Sequence, residues 1–160
     1  MLSADSKIRI RTAAPTEAAA IAAILYESFL EYKPIYTPEG FAATTPPAAE
    51  IERRFDEGPI WVAVGEGAIV GTVSAVLKSG RVYVRSMAIL PAARGHAIGR
   101  RLLELVEQWA QEHGHRELFL CTTPFLDRAI RLYEGHGFRR SQEGPHELFG
   151  TPLFTMVKRL

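Results

Sequence analysis

A chain of 160 residues that is 47% hydrophobic and 23% charged can bury a core without disulfides or metals, and its composition is neither that of a disordered chain nor that of a fibre. Nineteen lysines and arginines against 18 aspartates and glutamates leave a formal charge of +1, too small a field to hold a polyanion, so no nucleic-acid partner is expected. The single cysteine, Cys121, excludes an internal disulfide and fits a reducing compartment, while Met1 to Lys7 lack an export signal and no apolar run is long enough to span a bilayer; cytoplasm is the expected location, with no membrane partner.

Ile8-Arg9-Ile10-Arg11 alternates as a short strand does, and Pro15-Thr16-Glu17 supplies the proline and acid of a first helical turn. Ile21, Ile24, Leu25, Ser28, Phe29 and Tyr32 then recur at helical spacing, so a helix should lie on a sheet through this stripe. Four prolines, two aromatic residues and a Thr-Thr pair from Lys33 to Pro47 predict an exposed loop, either a plain connector or one that shapes a site. Glu50 to Glu57 reads as a short helix ended by Gly58-Pro59.

Ile60 to Val64, Ala68 to Leu77 and Arg81 to Ile89 read as three strands of an antiparallel meander, joined by Gly65-Glu66-Gly67 and Lys78-Ser79-Gly80. Ile98, Leu102, Leu105, Val106 and Trp109 then mark one face of an amphipathic helix that His113-Gly114 ends. Leu118 to Cys121 has the continuous apolar character of a buried strand, which can pair in parallel across that helix. Asp127 can cap a further helix running to His136 and stopped by Gly137, and Phe138 and Leu153 to Val157 supply final strands. No repeat or second core interrupts this order, so residues 1–160 are expected to form one domain.

The stretch that carries chemistry is strand, tight loop and helix start: Val82 to Ile89, Pro91, then Arg94-Gly95-His96-Ala97-Ile98-Gly99. Amides in a first helical turn have no partner inside the helix, and the helix dipole adds positive charge there. Small residues at Gly95, Ala97 and Gly99 let a pyrophosphate approach the main chain, and Arg94 and Arg100 can add full charge, so an anionic, phosphate-bearing ligand is expected. There is neither a Walker loop nor a Gly-x-Gly-x-x-Gly with an acidic partner.

Arg94-Gly95-His96-Ala97-Ile98-Gly99 resembles the acetyl-CoA pyrophosphate loop of the GNAT superfamily of N-acetyltransferases, Arg/Gln-x-x-Gly-x-Gly/Ala, and Ala129 to Phe138 is similar to that family's Ala-x-x-x-Tyr-x-x-x-Gly-Phe segment. The resemblance implies an α/β (α+β) fold with a mixed, mostly antiparallel sheet flanked by helices. It further implies that the strand before the loop splays from the next, parallel strand, opening a cleft between Met87-Ala88-Ile89 and Leu118 to Cys121 for the pantetheine arm of acetyl-CoA. On that reading Met87, Ala88, Ile89, Arg94, Gly95, His96, Ala97, Ile98, Gly99 and Arg100 bind the co-substrate, and a main-chain amide near Ala88 or Ile89 is the oxyanion donor. Tyr133 matches the tyrosine that protonates the departing thiolate, and is the expected catalytic acid. The implied reaction is transfer of an acetyl group to a primary amine of a small molecule or a protein, by direct attack in a ternary complex. A sensor domain that holds acyl-CoA without turnover, and a transferase for longer acyl chains, are the alternatives.

Two positions depart from the pattern. Ala97 stands where glycine is usual; a methyl group is tolerated at negative φ but can crowd a phosphate. Leu126 stands where many members place an asparagine. Arg85 and Ser86 precede Met87, and no acid lies between Ala68 and Ile89, so no base carries over; Glu27, Glu31, His136 and His146 are candidates by type, and each reads better as solvated or structural. The five histidines do not make a metal-ligand spacing with Cys121 or nearby acids, so no metal is assigned, and Cys121 reads as a small buried residue. Arg139-Arg140 and Ser141 to Pro145 are expected to border the acceptor site with the Lys33 to Pro47 loop. The last strands offer an edge for a homodimer, which nothing in the sequence decides.

Overall fold

The computed structural model describes residues 7–160. The stretch Met1 to Ser6, read above for an export signal, lies outside the described residues. The elements are β1 (Ile8–Thr12), α1 (Ala18–Phe29), α2 (Pro38–Thr44), α3 (Ala48–Arg54), β2 (Ile60–Gly65), β3 (Ala68–Lys78), β4 (Arg81–Ile89), α4 (Ile98–Glu112), β5 (Glu117–Thr122), α5 (Asp127–Gly135), β6 (Arg139–Arg140), β7 (His146–Leu148) and β8 (Thr151–Arg159). The sheet runs β1-β2-β3-β4-β5-β8-β6, with β7 paired to β8. Every pairing is antiparallel except β4 with β5. The mixed α/β architecture expected from the resemblance is therefore the architecture observed.

Side-chain alternation along the strands feeds two cores. In β2, Trp61 and Ala63 face α4, while Ile60 and Val62 face α1 and α3. On the first side Leu102, Leu103 and Val106 of α4 are fully buried against Val73, Val82 and Leu118. At about 1.5–3 kcal/mol for each large apolar side chain removed from water, this face of α4 anchors the loop that precedes it.

The β4–β5 pairing is confined to Val82 with Leu118 and Tyr83 with Phe119. Beyond Tyr83 the strands diverge and open a cleft. A β-bulge sits at the same place: Thr72 pairs with Ala88 but Ser74 with Arg85, so Ser86 and Met87 together oppose the one residue Val73. Ser86 takes φ +54, a left-handed conformation of the kind found in G1-type bulges. The bulge reverses the facing of β4. Val82 and Val84 point toward α4 before it, and Met87 and Ile89 do so after it.

Three local expectations change. The segment from Lys33 to Pro47 is not a loop: α2 occupies Pro38–Thr44, with Tyr36 and Phe41 buried. Thr37 caps this helix by accepting from Gly40 N at 3.0 Å, and its hydroxyl donates to Phe149 O at 2.8 Å, tying α2 to the β7–β8 turn. Proline at the first helical position and threonine before it are start signals that the proline count masked. Asp127 is the first residue of α5 and makes no capping hydrogen bond, Leu126 holding the cap position. Arg139 and Arg140 lie on the sheet edge, where Arg140 stacks on Phe154 at 4.2 Å, beside a depression shared with Glu117 and Glu143 and away from the cleft.

Candidate active site

Two cavities meet in the cleft. The first, of about 160 Å³, is lined by Met87, Ala88 and Ile89 of β4, Arg94, and Ala129 and Leu132 of α5. Pro91–Ala93 forms a single 3₁₀ turn, after which Gly95 (φ +92) and Ala97 (φ +57) both adopt left-handed backbone and lead into α4. Among the described residues no side chain caps that helix, so its first-turn amides are open to an anion. A methyl group built on Gly95 would meet no atom within 4 Å, which leaves the approach to these amides clear. Ala97 does not have the negative φ at which its methyl is free of strain; the turn that aims the amides requires the left-handed conformation, at about 1–2 kcal/mol for an L-residue.

Gly99 answers a different need. A Cβ there would come within 2.6 Å of Leu132 Cδ2, 3.1 Å of Ile89 Cδ1 and 3.2 Å of Met87 Cε, so its missing side chain lets α4, α5 and β4 close on one another. Arg94 lines the cavity and its Nη2 donates to Glu31 Oε1 at 2.6 Å, which places one candidate base in a surface ion pair. Arg100 is exposed and 4.0 Å from Glu104; Ile98 is buried in the core, and His96 is half-buried.

The second cavity, of about 330 Å³, is lined by Tyr83, Arg85 and Ser86 of β4, Arg54 of α3, and Cys121 and Thr122 of β5, among others. Ala43 and Thr44 of α2 and Leu148 and Leu153 beside the β7–β8 turn complete its wall. Phe29, Met87, Leu126 and Tyr133 line both cavities. Leu126 thus supplies an apolar partition where the family pattern puts an amide.

Tyr133 is held by the end of its own helix. Phe138 N donates to Tyr133 O at 2.9 Å and Gly137 N to Glu134 O at 3.1 Å, with Gly137 at φ +96: a Schellman cap. The cap folds Phe138 back so that the two rings sit 5.9 Å apart at 61°. The spacing Tyr-x-x-x-Gly-Phe is therefore a device for fixing one tyrosine. Burial, and after it the neighbouring hydroxyls of Tyr36 and Tyr83, push the Tyr133 pKa well above the usual phenol range. The group stays protonated and can act as a donor.

The remaining candidates lie elsewhere. His136 Nε2 is 3.1 Å from Glu107 Oε2, which also accepts from Lys158 Nζ at 2.6 Å, and His146 and Glu27 are exposed. Cys121 Sγ is 3.6 Å from Thr155 Oγ1 and lines the larger cavity. Among the described residues no three of His, Cys, Asp and Glu gather in a way that could hold a metal ion, and no helix is long and apolar enough to cross a membrane. Tyr36, Ala43 and Thr44 line this cavity from the Lys33 to Pro47 segment expected to border a site, whereas Arg54 and Thr122 had no sequence signal as cavity residues, because only the fold brings their segments together.

Residues 22–138 match the acetyltransferase (GNAT) family. The uncharacterized N-acetyltransferase YjgM of Escherichia coli is 30% identical over 125 residues, covering 74% of each chain. The probable N-acetyltransferase family 8 member 5 of mouse is 31% identical over 101 residues, and the match spans only 44% of that longer protein. In three dimensions the fold resembles the PaiA N-acetyltransferase of Thermoplasma acidophilum, solved in complex with coenzyme A, at a TM-score of 0.78 and 18% identity, covering 96% of this chain and 99% of that one. With 117 residues from Ala22 to Phe138 inside the family match, and with the splayed parallel strands, uncapped helix start and capped tyrosine in place, the chain belongs to the acetyltransferase (GNAT) family of acyltransferase enzymes.

Proposed function

We propose that this protein transfers an acetyl group from acetyl-CoA to a primary amine, by direct attack of the amine while both substrates are bound, within one domain spanning residues 1–160. The observation that carries the reading is the position of Tyr133 in the wall common to the two cavities, the smaller of which reaches Arg94 in the loop that leads to the uncapped start of α4.

The residues present suit coenzyme A. The amides from Gly95 to Arg100 hold the diphosphate, with Arg94 and Arg100 adding charge. Met87 to Ile89, unpaired on the β5 side, take the pantetheine amides as an added strand would. Ser28 Oγ, buried in the same cavity without a hydrogen-bond partner among the described residues, is a polar group with room for one. The amine enters from the larger cavity. An amide near Ala88 or Ile89 donates to the carbonyl oxygen as negative charge develops there, and the two pockets supply alignment. Tyr133 donates its proton to the departing thiolate, formed in the same desolvated space. No carboxylate or imidazole lines either cavity among the described residues, so the proton lost by the amine passes to water. Cytoplasmic location and a homodimer through the last strands accord with this reading and are part of the proposal.

The test is release of free thiol from acetyl-CoA with a panel of primary amines. Saturable, amine-dependent release that rises with pH toward the pKa of the amine is expected. Tight binding of acetyl-CoA with no release on any amine would favour the sensor reading instead.

A further inference from the structure

We infer that the larger cavity selects a primary amine carrying a carboxylate a few bonds from its nitrogen, gripped by the guanidinium groups of Arg54 and Arg85; the inference rests on the acetyl-transfer reading above. Arg54 reaches the cavity from α3 and Arg85 from the residue before the β4 bulge. Their side chains are only 11% and 19% exposed. Arg54 Nη1 donates to Ser86 Oγ at 2.8 Å and Arg85 Nη1 to Glu57 Oε2 at 3.2 Å. Arg54 Nε, Arg85 Nε and Arg85 Nη2 are buried and have no hydrogen-bond partner among the described residues.

Unpaired donors on buried cations are costly, and the local acids offset the two charges without satisfying those donors. Arg54 Nε lies 3.8 Å from Glu50 Oε1, beyond hydrogen-bond reach, and among the described residues Glu57 accepts only from Arg85 Nη1. Three guanidinium groups, of Arg53, Arg54 and Arg85, face two carboxylates, of Glu50 and Glu57, and Glu50 is bound chiefly by Arg53. Burial, and then the charge of Arg85, pull the Arg54 pKa down, as expected of two cations sharing one dry site. The unpaired guanidinium nitrogens are closed to solvent, so a carboxylate in the cavity gains the fork as the side chains turn toward it, and it then accepts through both oxygens. Distance limits the ligand. Arg85 and Ala88 are three residues apart on one strand, at most about 11 Å between Cα atoms, so an anion on Arg85 and an amine at the thioester fit within one small molecule. An amino acid fits this span, and a lysine side chain of a folded protein brings no such carboxylate.

The experiment uses the full chain and matched amines: phenylalanine against phenethylamine, 4-aminobutyrate against butylamine, and β-alanine against 2-aminoethylphosphonate. For at least one pair kcat/KM should favour the carboxylate by about tenfold or more, and Arg85→Met or Arg54→Met should bring that ratio close to one by raising KM. If a methionine variant does not fold, Arg85→Lys, which keeps charge but loses the fork, should give an intermediate ratio. Equal rates within every pair, no turnover of any carboxylate-bearing amine, a preference for the phosphonate, or a ratio untouched by the arginine variants each overturn the inference. Calorimetry with acetyl-CoA on the same preparation separates the two readings: binding with carboxylate-blind acetylation removes only this inference, and absence of binding removes both.

Discussion

Tyr133 stands between a cavity bounded by Met87 to Ile89, Arg94 and α5 and a cavity whose wall draws side chains from α2, α3, β4 and β5. Beside the first lie the backbone features of the site: left-handed turns at Gly95 and Ala97, open amides at the start of α4, and a strand edge released by the β4–β5 splay. The second is made of side chains, Arg54 and Arg85 with Tyr36, Tyr83 and Thr122. Backbone binding suits a ligand that does not change, and its geometry resists substitution at few positions only. Side-chain binding suits a ligand that differs between relatives, since each wall residue can change without disturbing the turn.

Substitutions can sharpen this contrast. The largest effect is expected at the partition itself: Tyr133→Phe should lower kcat by about 100-fold or more with acetyl-CoA affinity unchanged, read by steady-state kinetics beside calorimetry. Because the hydroxyl is held protonated, its role should leave no limb in the wild-type pH-rate profile below the ordinary tyrosine value of about 10. Next comes Gly99→Val, whose added carbons collide with Leu132, Ile89 and Met87; a loss of about 1–3 kcal/mol in denaturant melts is expected, partly restored by Leu132→Ala. Gly137→Ala should cost about 1–2 kcal/mol, since the Schellman cap needs φ +96, and should lower turnover as Tyr133 loosens. The smallest effect has the opposite sign. Ala97→Gly should stabilise the protein by up to about 1 kcal/mol, relief of left-handed strain offset by the greater freedom of unfolded glycine, and should keep coenzyme A binding. Destabilisation by Ala97→Gly would mean that the methyl group packs usefully and the turn is not strained.

The same contrast explains what could be read from residues alone. The loop past Arg94, the amphipathic stripe of α4 and the Tyr-to-Phe spacing of α5 are local patterns, and each stands where its spacing put it. The parallel pairing of β4 and β5 followed from a buried strand after a crossover helix. The bulge was written in β4 as a lapse of alternation, since Arg85-Ser86 interrupts the inward series of Val82 and Val84 before Met87, but serine rather than glycine at φ +54 hid it. The arginine pair was illegible. Arg54 and Arg85 are 31 residues apart, and only the packing of α3 beside β4 joins them to one cavity. Likewise α2 was masked by its prolines, whose meaning depended on Thr37 reaching the β7–β8 turn, 112 residues away at Phe149.

The most direct measurement is calorimetric titration of acetyl-CoA and of coenzyme A into the wild-type protein. Saturable binding of both at one site per chain, weakened when Gly95→Val closes the approach to the α4 amides, is the predicted result. Absence of heat from either ligand at high protein concentration would contradict it.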